Sequence, residues 1–298
     1  MENSEHKPFK AGYINIFGNP NAGKSTLLNA LLGERLAIVT PKAQTTRTRM
    51  LGILNEPGYQ MIFSDTPGII EPKYALQETM MNTVKEALED ADIALLLVVP
   101  GEREPKNKEI FEAILAADIP LIIAVNKVDT ISQEEALSEV EYWKSVAPRA
   151  EVWLISALHC FNVIELKNRL LELLPFHPPY FDTDQLTDKS ERFIVSEVIR
   201  EKILLHYREE IPYASEVIVD EFKEEENIIR IRATIVVERD TQKSILIGKG
   251  GSALKRVGTE ARIALEHFFL KKIFLELFVK VDPDWRFDNK KLKRYGYR

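Results

Sequence analysis

Short apolar runs alternate with amphipathic stretches through the first 175 residues. The runs at 13–17, 59–63, 93–99, 120–125 and 152–155 predict strands. The stretches at 26–32, 76–90, 107–117, 132–146 and 162–174 repeat at helical spacing and predict the helices between them. Ile93 to Val99 is apolar on both faces, as a central parallel strand must be. This alternation predicts an α/β domain over residues 8–175, with a doubly wound, mostly parallel sheet and ligands at the carboxyl ends of its strands. Pro175 to Asp184 breaks the pattern. Pro178-Pro179 cannot continue a helix and favours extended chain, so residues 176–188 are expected to be a linker. A different order follows: a helix entered through an Asp188/Glu191 capping pair and running to about Arg208, then strands near 215–222 and 228–238 joined by the polar turn Glu224 to Asn227. A short helix, a glycine-rich loop, a helix over 251–269 and a strand over 273–281 complete a second, α+β domain over 189–282. Residues 283–298 form a basic, aromatic tail.

The candidate chemistry sits where predicted strands end. Gly18-Asn19-Pro20-Asn21-Ala22-Gly23-Lys24-Ser25 has the spacing G-x-x-x-x-G-K-S, between a strand and a helix that begins with Thr26. Glycines let the backbone approach an anion, and successive N–H groups converge on it at a helix N-terminus. Lys24 is placed to reach the β- and γ-phosphates and the Ser25 hydroxyl to ligate Mg²⁺. Asn126-Lys127-Val128-Asp129 selects the base, because a carboxylate accepts both N1–H and N2–H of guanine and adenine offers no such pair. Asn126 is expected to brace the loops around the base and the Lys127 stem to lie along its face. Asp65-Thr66-Pro67-Gly68 supplies a carboxylate acting on Mg²⁺ through water and, at Gly68, an N–H for the γ-phosphate. The polar segment Gln44 to Arg49 reads as a mobile loop. Thr46, with Thr45 in reserve, is the residue expected to ligate Mg²⁺ and bond the γ-phosphate. Ser156-Ala157 closes the set with backbone N–H groups for guanine O6. These pieces imply GTP or GDP with Mg²⁺, and Lys24, Thr46, Asp65 and Gly68 as the groups closest to the chemistry.

The order of these motifs resembles that of the translation-factor class of GTPases. One difference bears on rate. Ile69 follows Gly68, where signalling GTPases carry a water-orienting glutamine, and isoleucine cannot hydrogen-bond a water. Slow intrinsic hydrolysis is expected, or activation from another group. In similar GTPases an asparagine at the place of Asn21 helps hold K⁺ beside the phosphates; simple support of the loop is the alternative.

Composition narrows the setting. The chain has 298 residues, one cysteine (Cys160) and a net charge of −6. A single cysteine excludes an intramolecular disulfide and a cysteine-based metal cluster, and with no apolar run long enough to span a bilayer and a polar start at Met1 to Lys7, the cytoplasm is the expected compartment. The charge is unevenly spread: Thr241 to Arg298 holds 14 Lys/Arg against 6 Asp/Glu, which leaves the remainder strongly acidic. A basic C-terminal surface reads either as a functional face or as a solvated tail. Gly248-Lys249-Gly250-Gly251 favours function. G-x-x-G between two helices is the loop with which KH domains clamp about four nucleotides of single-stranded nucleic acid. Ile245 and Ile247 are expected to line an apolar floor, with Lys249 and Lys255 near the phosphates. Lys290, Lys291, Lys293 and Arg294, interleaved with aromatics, suit RNA, and the same tail suits a structural cap.

A P-loop GTPase domain followed by a KH domain of the type II order resembles the Era family of bacterial ribosome-assembly GTPases, over nearly the whole chain. The phrases Gln44-Thr45-Thr46-Arg47, Thr187-Asp188, Ile199-Arg200-Glu201-Lys202 and Glu210-Ile211-Pro212-Tyr213 carry the likeness. The resemblance implies binding near the 3′ end of 16S rRNA, a role in late small-subunit assembly, and peripheral association with the inner membrane; nucleotide state gating RNA binding, and a monomer, are expected. One departure stands out. After Ser156-Ala157 the family usually has a glycine within three residues, and here Cys160 takes that place. Two other functions fit parts of the chain: an RNA chaperone holding nucleotide as a structural ligand, and a tRNA-modification GTPase, against which the Gly248–Gly251 loop counts.

Overall fold

The computed structural model describes residues 8–103 and 105–297, in two compact units. Met1 to Lys7, read above as a polar start, lie outside the described residues, as do Glu104 and Arg298.

The first unit is a six-stranded sheet, in order β2-β3-β1-β4-β5-β6. Its strands are β1 (Lys10–Gly18), β2 (Met50–Glu56), β3 (Tyr59–Asp65), β4 (Ile93–Val98), β5 (Leu121–Val125) and β6 (Glu151–Leu154). All neighbours pair in parallel except β2, which runs antiparallel to β3. The expected mostly parallel sheet is therefore present, and β2 is an addition to it. Gly58 at φ +96 makes the tight β2–β3 turn that lets this edge strand fold back. Helices α1 (Lys24–Leu32), α2 (Ala75–Glu89), α3 (Lys108–Ala116), α4 (Gln133–Val146) and α5 (Val163–Leu173) provide the crossovers. Every residue of β4 and β5 is buried, which is why those runs lack a polar face. The strand order reverses direction around β1, and the P-loop leaves its carboxyl end there.

Residues 176–188 run along the first unit rather than standing clear of it. The Gln60 amide donates to the Phe181 carbonyl at 2.9 Å, and its oxygen accepts from the Tyr180 N–H at 2.8 Å. The Ile53 N–H bonds the Leu186 carbonyl, and the Asp188 carboxylate accepts from Leu51 N–H at 2.8 Å. Asp188 is thus spent on β2. The helix cap expected of it comes from Ser190, whose hydroxyl accepts from Phe193 N–H before α6 (Glu191–His206).

The second unit comprises 189–297 together with two short pieces, 38–45 and 74–79. Strands β7 (Glu216–Glu224), β8 (Ile228–Val237) and β9 (Lys272–Val281) form one sheet in that order, β7 antiparallel and β9 parallel to β8. Helices α6, α7 (Ile211–Ala214), α8 (Asp240–Ile247) and α9 (Ser252–Phe269) accompany it. Ile229, Ile231, Ala233, Ile235 and Val237 of β8 enter a core shared with Val195, Ile199 and Ile203 of α6 and with Val257, Ala261 and Leu265 of α9. Arg200 is almost fully buried in this unit and held by Glu197; it donates to the carbonyls of Gln44 and Thr45. Lys42 donates to the Tyr207 carbonyl.

The tail folds back as a cap. Trp285 is completely buried, its indole N–H donates to the Ala214 carbonyl at 3.0 Å, and Tyr295 and Tyr297 pack on its ring. A short helix, α10 (Asn289–Arg294), starts at Asp288, which accepts from Lys290 and Lys291 N–H. Removing this anchor leaves a cavity and an unpartnered carbonyl. Trp285→Ala is expected to destabilise the second unit by about 3–5 kcal/mol, read as an earlier urea transition for that unit; an unchanged midpoint would show that the tail is not part of its core.

Candidate functional site

At the carboxyl end of β1 the chain turns sharply into α1. Gly18 has φ +147, and a Cβ there would meet the Leu97 carbonyl oxygen at 2.3 Å. Gly23 has φ +99, and a Cβ would lie 2.3 Å from the Asn126 amide nitrogen. Neither position admits a side chain, so the two glycines of the motif are demanded by β4 and β5 as much as by any ligand. Lys24 is buried, and its ammonium donates to the carbonyls of Gly18 and Asn19 at 3.0 and 3.1 Å. Burial pulls its pKa down to about 8, against the attraction of Asp65 and Glu102. A phosphate in the loop would favour the charged form that desolvation disfavours.

Ser25, Thr46 and Asp65 meet beside it. Ser25 Oγ donates to Asp65 Oδ2 at 2.7 Å, Thr46 Oγ1 donates to the same oxygen at 3.0 Å, and the two hydroxyls lie 3.1 Å apart. Three hard oxygens on one spot form the donor set that Mg²⁺ takes. Thr45 is not in the cluster: its hydroxyl bonds the Lys42 carbonyl and Thr40. Thr66 is buried and donates to the Ile16 carbonyl at 2.6 Å, so it holds the loop from within. A Cβ on Gly68 would lie 2.9 Å from Pro20, and the next N–H, of Ile69, donates to the Gly18 carbonyl at 3.1 Å. The Asp65–Gly68 loop therefore rests directly on the P-loop, and Ile69 is itself buried.

The base-selecting side is organised by Asn126. Its amide nitrogen donates to the Ala22 carbonyl at 2.8 Å and its oxygen accepts from Ala157 N–H at 2.9 Å, joining the P-loop to the Ser156-Ala157 loop. Lys127 reaches the Asn21 carbonyl at 2.7 Å. The Ser156 hydroxyl beside Asp129 is the main cause that holds that carboxyl below the usual aspartate range. His159 lies 3.7 Å from the same carboxylate. Asn21, Lys127, Cys160 and Asn162 have φ of 64, 66, 54 and 56°. Cys160 is exposed and sits in the left-handed region that favours glycine. One brace was not anticipated from the chain: the Asn19 amide donates to Glu102, a half-buried carboxylate that also accepts from Val99 N–H. No local motif announces it, since it joins loops 83 residues apart.

In the second unit, Gly248, Lys249, Gly250 and Gly251 form a tight turn between α8 and α9, with φ of 72, 59 and 78° at the three glycines. Lys249 and Lys255 are exposed. Ile245 is exposed on α8 and Ile247 half-buried. Next to the loop, a groove of about 350 Å³ lies between α9 and β9, reached from Gly251 and lined by Leu254, Gly258, Leu275 and Leu277. Leu254, Gly258, Leu275 and Leu277 lay outside the candidates read from the chain. Lys290, Lys293 and Arg294 are exposed on α10, while Lys291 is paired with Asp282.

Comparison with known proteins bears on the fold and the family. A model described as a 50S ribosome-binding GTPase matches residues 13–127, and a KH-domain model matches 210–286. The GTPase Era of Syntrophus aciditrophicus (strain SB) is 47% identical over 292 residues, covering 97% of this chain and 95% of the relative. That of Geobacter metallireducens is 44% identical, covering 97% and 98%. Among solved structures, Era in complex with MgGDPNP and nucleotides 1506–1542 of 16S ribosomal RNA matches with a TM-score of 0.93 at 40% identity, covering 97% of this chain and 99% of that one. A point variant of Aquifex aeolicus Era bound to GDP·AlF4⁻ matches with a TM-score of 0.93 at 39% identity, over 97% and 99%.

Two substitutions test the base side. Asn126→Ala strands a buried carbonyl and a buried N–H, each costing about 1–3 kcal/mol, and should weaken GDP binding by at least tenfold in calorimetry; unchanged affinity would mean the two loops hold their places without it. Asp129→Asn replaces an acceptor by a group that also donates. It should lose GDP while gaining xanthosine diphosphate, whose 2-oxo group accepts; loss of both would locate base selection elsewhere.

Proposed function

This chain belongs to the Era family of GTP-hydrolysing enzymes, and we propose that its nucleotide state controls binding of single-stranded RNA from the 3′ region of 16S rRNA during late assembly of the small ribosomal subunit. The observation that carries this reading is the course of the chain at Thr45-Thr46. Thr46 belongs to the first unit and bonds Asp65; Thr45 belongs to the second, where its carbonyl accepts from Arg200. Ordering Thr46 around a triphosphate therefore acts on a segment already anchored to the RNA-binding unit.

In the hydrolytic step a water oxygen bonds the γ-phosphorus as the bond to the β–γ bridging oxygen breaks, giving GDP and phosphate. Bound Mg²⁺ neutralises phosphate charge; Ser25 and Thr46 are the residues to ligate it directly and Asp65 to act through water. Lys24 offsets charge on the β- and γ-phosphates, and the Gly68 N–H is the donor assigned to the γ-phosphate. Ile69 is buried and has no polar side-chain atom to orient the water, which supports slow intrinsic turnover. Asn21, exposed at the rim of the loop, is the candidate for a K⁺ that takes over part of the missing charge stabilisation. On the RNA side, Gly248 to Gly251 would carry the phosphates, with Lys249 and Lys255 beside them and Lys290, Lys293 and Arg294 extending the basic surface. Lys291 is committed to Asp282 and is the weakest of these candidates. We place the protein in the cytoplasm as a monomer that associates peripherally with the inner membrane. Among the described residues no helix is long and apolar enough to cross a membrane.

The buried Ile69 also favours a second reading, an RNA chaperone in which nucleotide is structural. Two measurements separate them. RNA of the 16S 3′ terminus should bind with GDPNP at least tenfold tighter than with GDP, and Gly248→Asp with Gly251→Asp should abolish binding; equal affinity in both nucleotide states would leave the chaperone. GTP turnover should be faster in K⁺ than in Na⁺, and Asn21→Ala should remove the difference; equal rates in the two salts would remove K⁺ from the scheme.

A further inference from the structure

The two halves of the P-loop rest on different supports. Asn126 anchors the later half at the Ala22 carbonyl. The first half, Gly18 to Pro20, carries the γ-phosphate side of the site. The Gly18 carbonyl accepts from the Lys24 ammonium at 3.0 Å and from the Ile69 N–H at 3.1 Å. The Asn19 carbonyl accepts from Lys24 at 3.1 Å. Pro20 lies against Gly68, where an added Cβ would be only 2.9 Å away. Lys24 and Gly68, both assigned above to the γ-phosphate, thus take their positions from residues 18–20.

Glu102 holds that half in place. One of its carboxylate oxygens accepts from the Asn19 side-chain amide and the other from the Val99 N–H at 3.1 Å. Both of its chain neighbours are tied to Glu139 of α4, a buried carboxylate. The Gly101 N–H donates to Glu139 at 2.9 Å, and the Arg103 guanidinium makes two bonds of 2.6 Å to it while lying over the Tyr142 ring. Glu102, Asn19, Gly18, Ile69 and Phe111 line one cavity of about 20 Å³, room for about one water. The brace and the residue after Gly68 therefore share one small space, and in close packing a shift of either reaches the other. The carboxylate is not needed to close its own turn, since the Glu102 N–H already bonds the Val99 carbonyl at 3.1 Å. Burial pushes the Glu102 carboxyl above the usual range, against the bonds from Val99 and Asn19 and the charges of Lys106 and Lys24. A half-buried carboxylate is costly where a neutral side chain would close the same turn.

We infer that Glu102 is a positioning residue for GTP hydrolysis: through Asn19 it fixes the carbonyls that hold Lys24 and the Ile69 N–H, and so sets the γ-phosphate contacts while leaving those of GDP to the rest of the site. This rests on the assignment of Lys24 and Gly68 to the γ-phosphate and adds to it the residue that places them.

Glu102→Ala should lower kcat for GTP and the affinity for GDPNP by roughly tenfold each, the scale of one charge-assisted hydrogen bond, while the Kd for GDP stays within about twofold and reports an intact fold. Glu102→Gln keeps an oxygen for the Asn19 amide and should recover most of the loss. Asn19→Ala should match Glu102→Ala, and the double variant should be no worse than either, because both remove the same interaction. A fall in GDP affinity as large as that in GDPNP affinity would overturn the proposal, since it places the effect in the fold of the whole domain. So would unchanged turnover in Glu102→Ala, additive losses in the double variant, or a Gln variant as slow as the Ala variant. Lys24→Ala keeps the two readings apart. If it abolishes turnover and Glu102→Ala leaves turnover unchanged, only the brace fails; if Lys24→Ala turns over normally, both fail.

Discussion

A single buried amide holds the nucleotide-binding unit in register. Asn126 ends β5 and bonds Ala22 of the P-loop on one side and Ala157 on the other. Each of those loops gives one backbone group to it, the Ala22 carbonyl and the Ala157 N–H. Bonded to the same side chain, they take their spacing from the sheet rather than from their own conformational preferences. Gly23 is part of the same constraint, because the Asn126 amide occupies the volume a side chain would need. The P-loop and the Ser156-Ala157 loop are therefore joined by one residue that follows one central strand.

The second unit is held by a different device, buried polar groups that tie distant pieces of chain to a compact core. Arg200 and Trp285 are both essentially inaccessible, and both direct their N–H groups to backbone carbonyls. A hydrophobic side chain at either position would leave those carbonyls without that donor. Glu216 adds a third tie, accepting from the Tyr297 hydroxyl. The aromatic tail is consequently a structural cap, with Lys290, Lys293 and Arg294 exposed on it.

What could be read from the chain was whatever the chain states locally. Lys24, Asp65, Asn126 and Gly248 are recognisable because their chemistry requires neighbours at fixed spacing, and the strands that carry them are long apolar runs. Strand β2 was not legible: it follows a polar segment, contains Gly52, and owes its place to a partner across a turn. The Asp188 cap failed for a similar reason, since a residue that looks like a cap can be claimed by a strand elsewhere, and Ser190 was free to take the role. The assignment of 38–45 to the second unit, the Glu102 brace on Asn19 and the groove at Gly258 all depend on residues brought together from distant parts of the chain. Periodicity is silent about such pairs.

Four residues around the guanine and phosphate loops, Asn21, Lys127, Cys160 and Asn162, hold left-handed backbone without being glycine. Each such residue carries strain of order 1 kcal/mol or more, and the folded state bears it whether or not a ligand is present. In thermodynamic linkage terms, the empty domain is a depleted reference state, and a guanine nucleotide that binds only the folded form raises stability by RT ln(1 + [L]/Kd). Cellular guanine nucleotide supply thus becomes a determinant of how much folded protein persists, apart from any role in timing its chemistry.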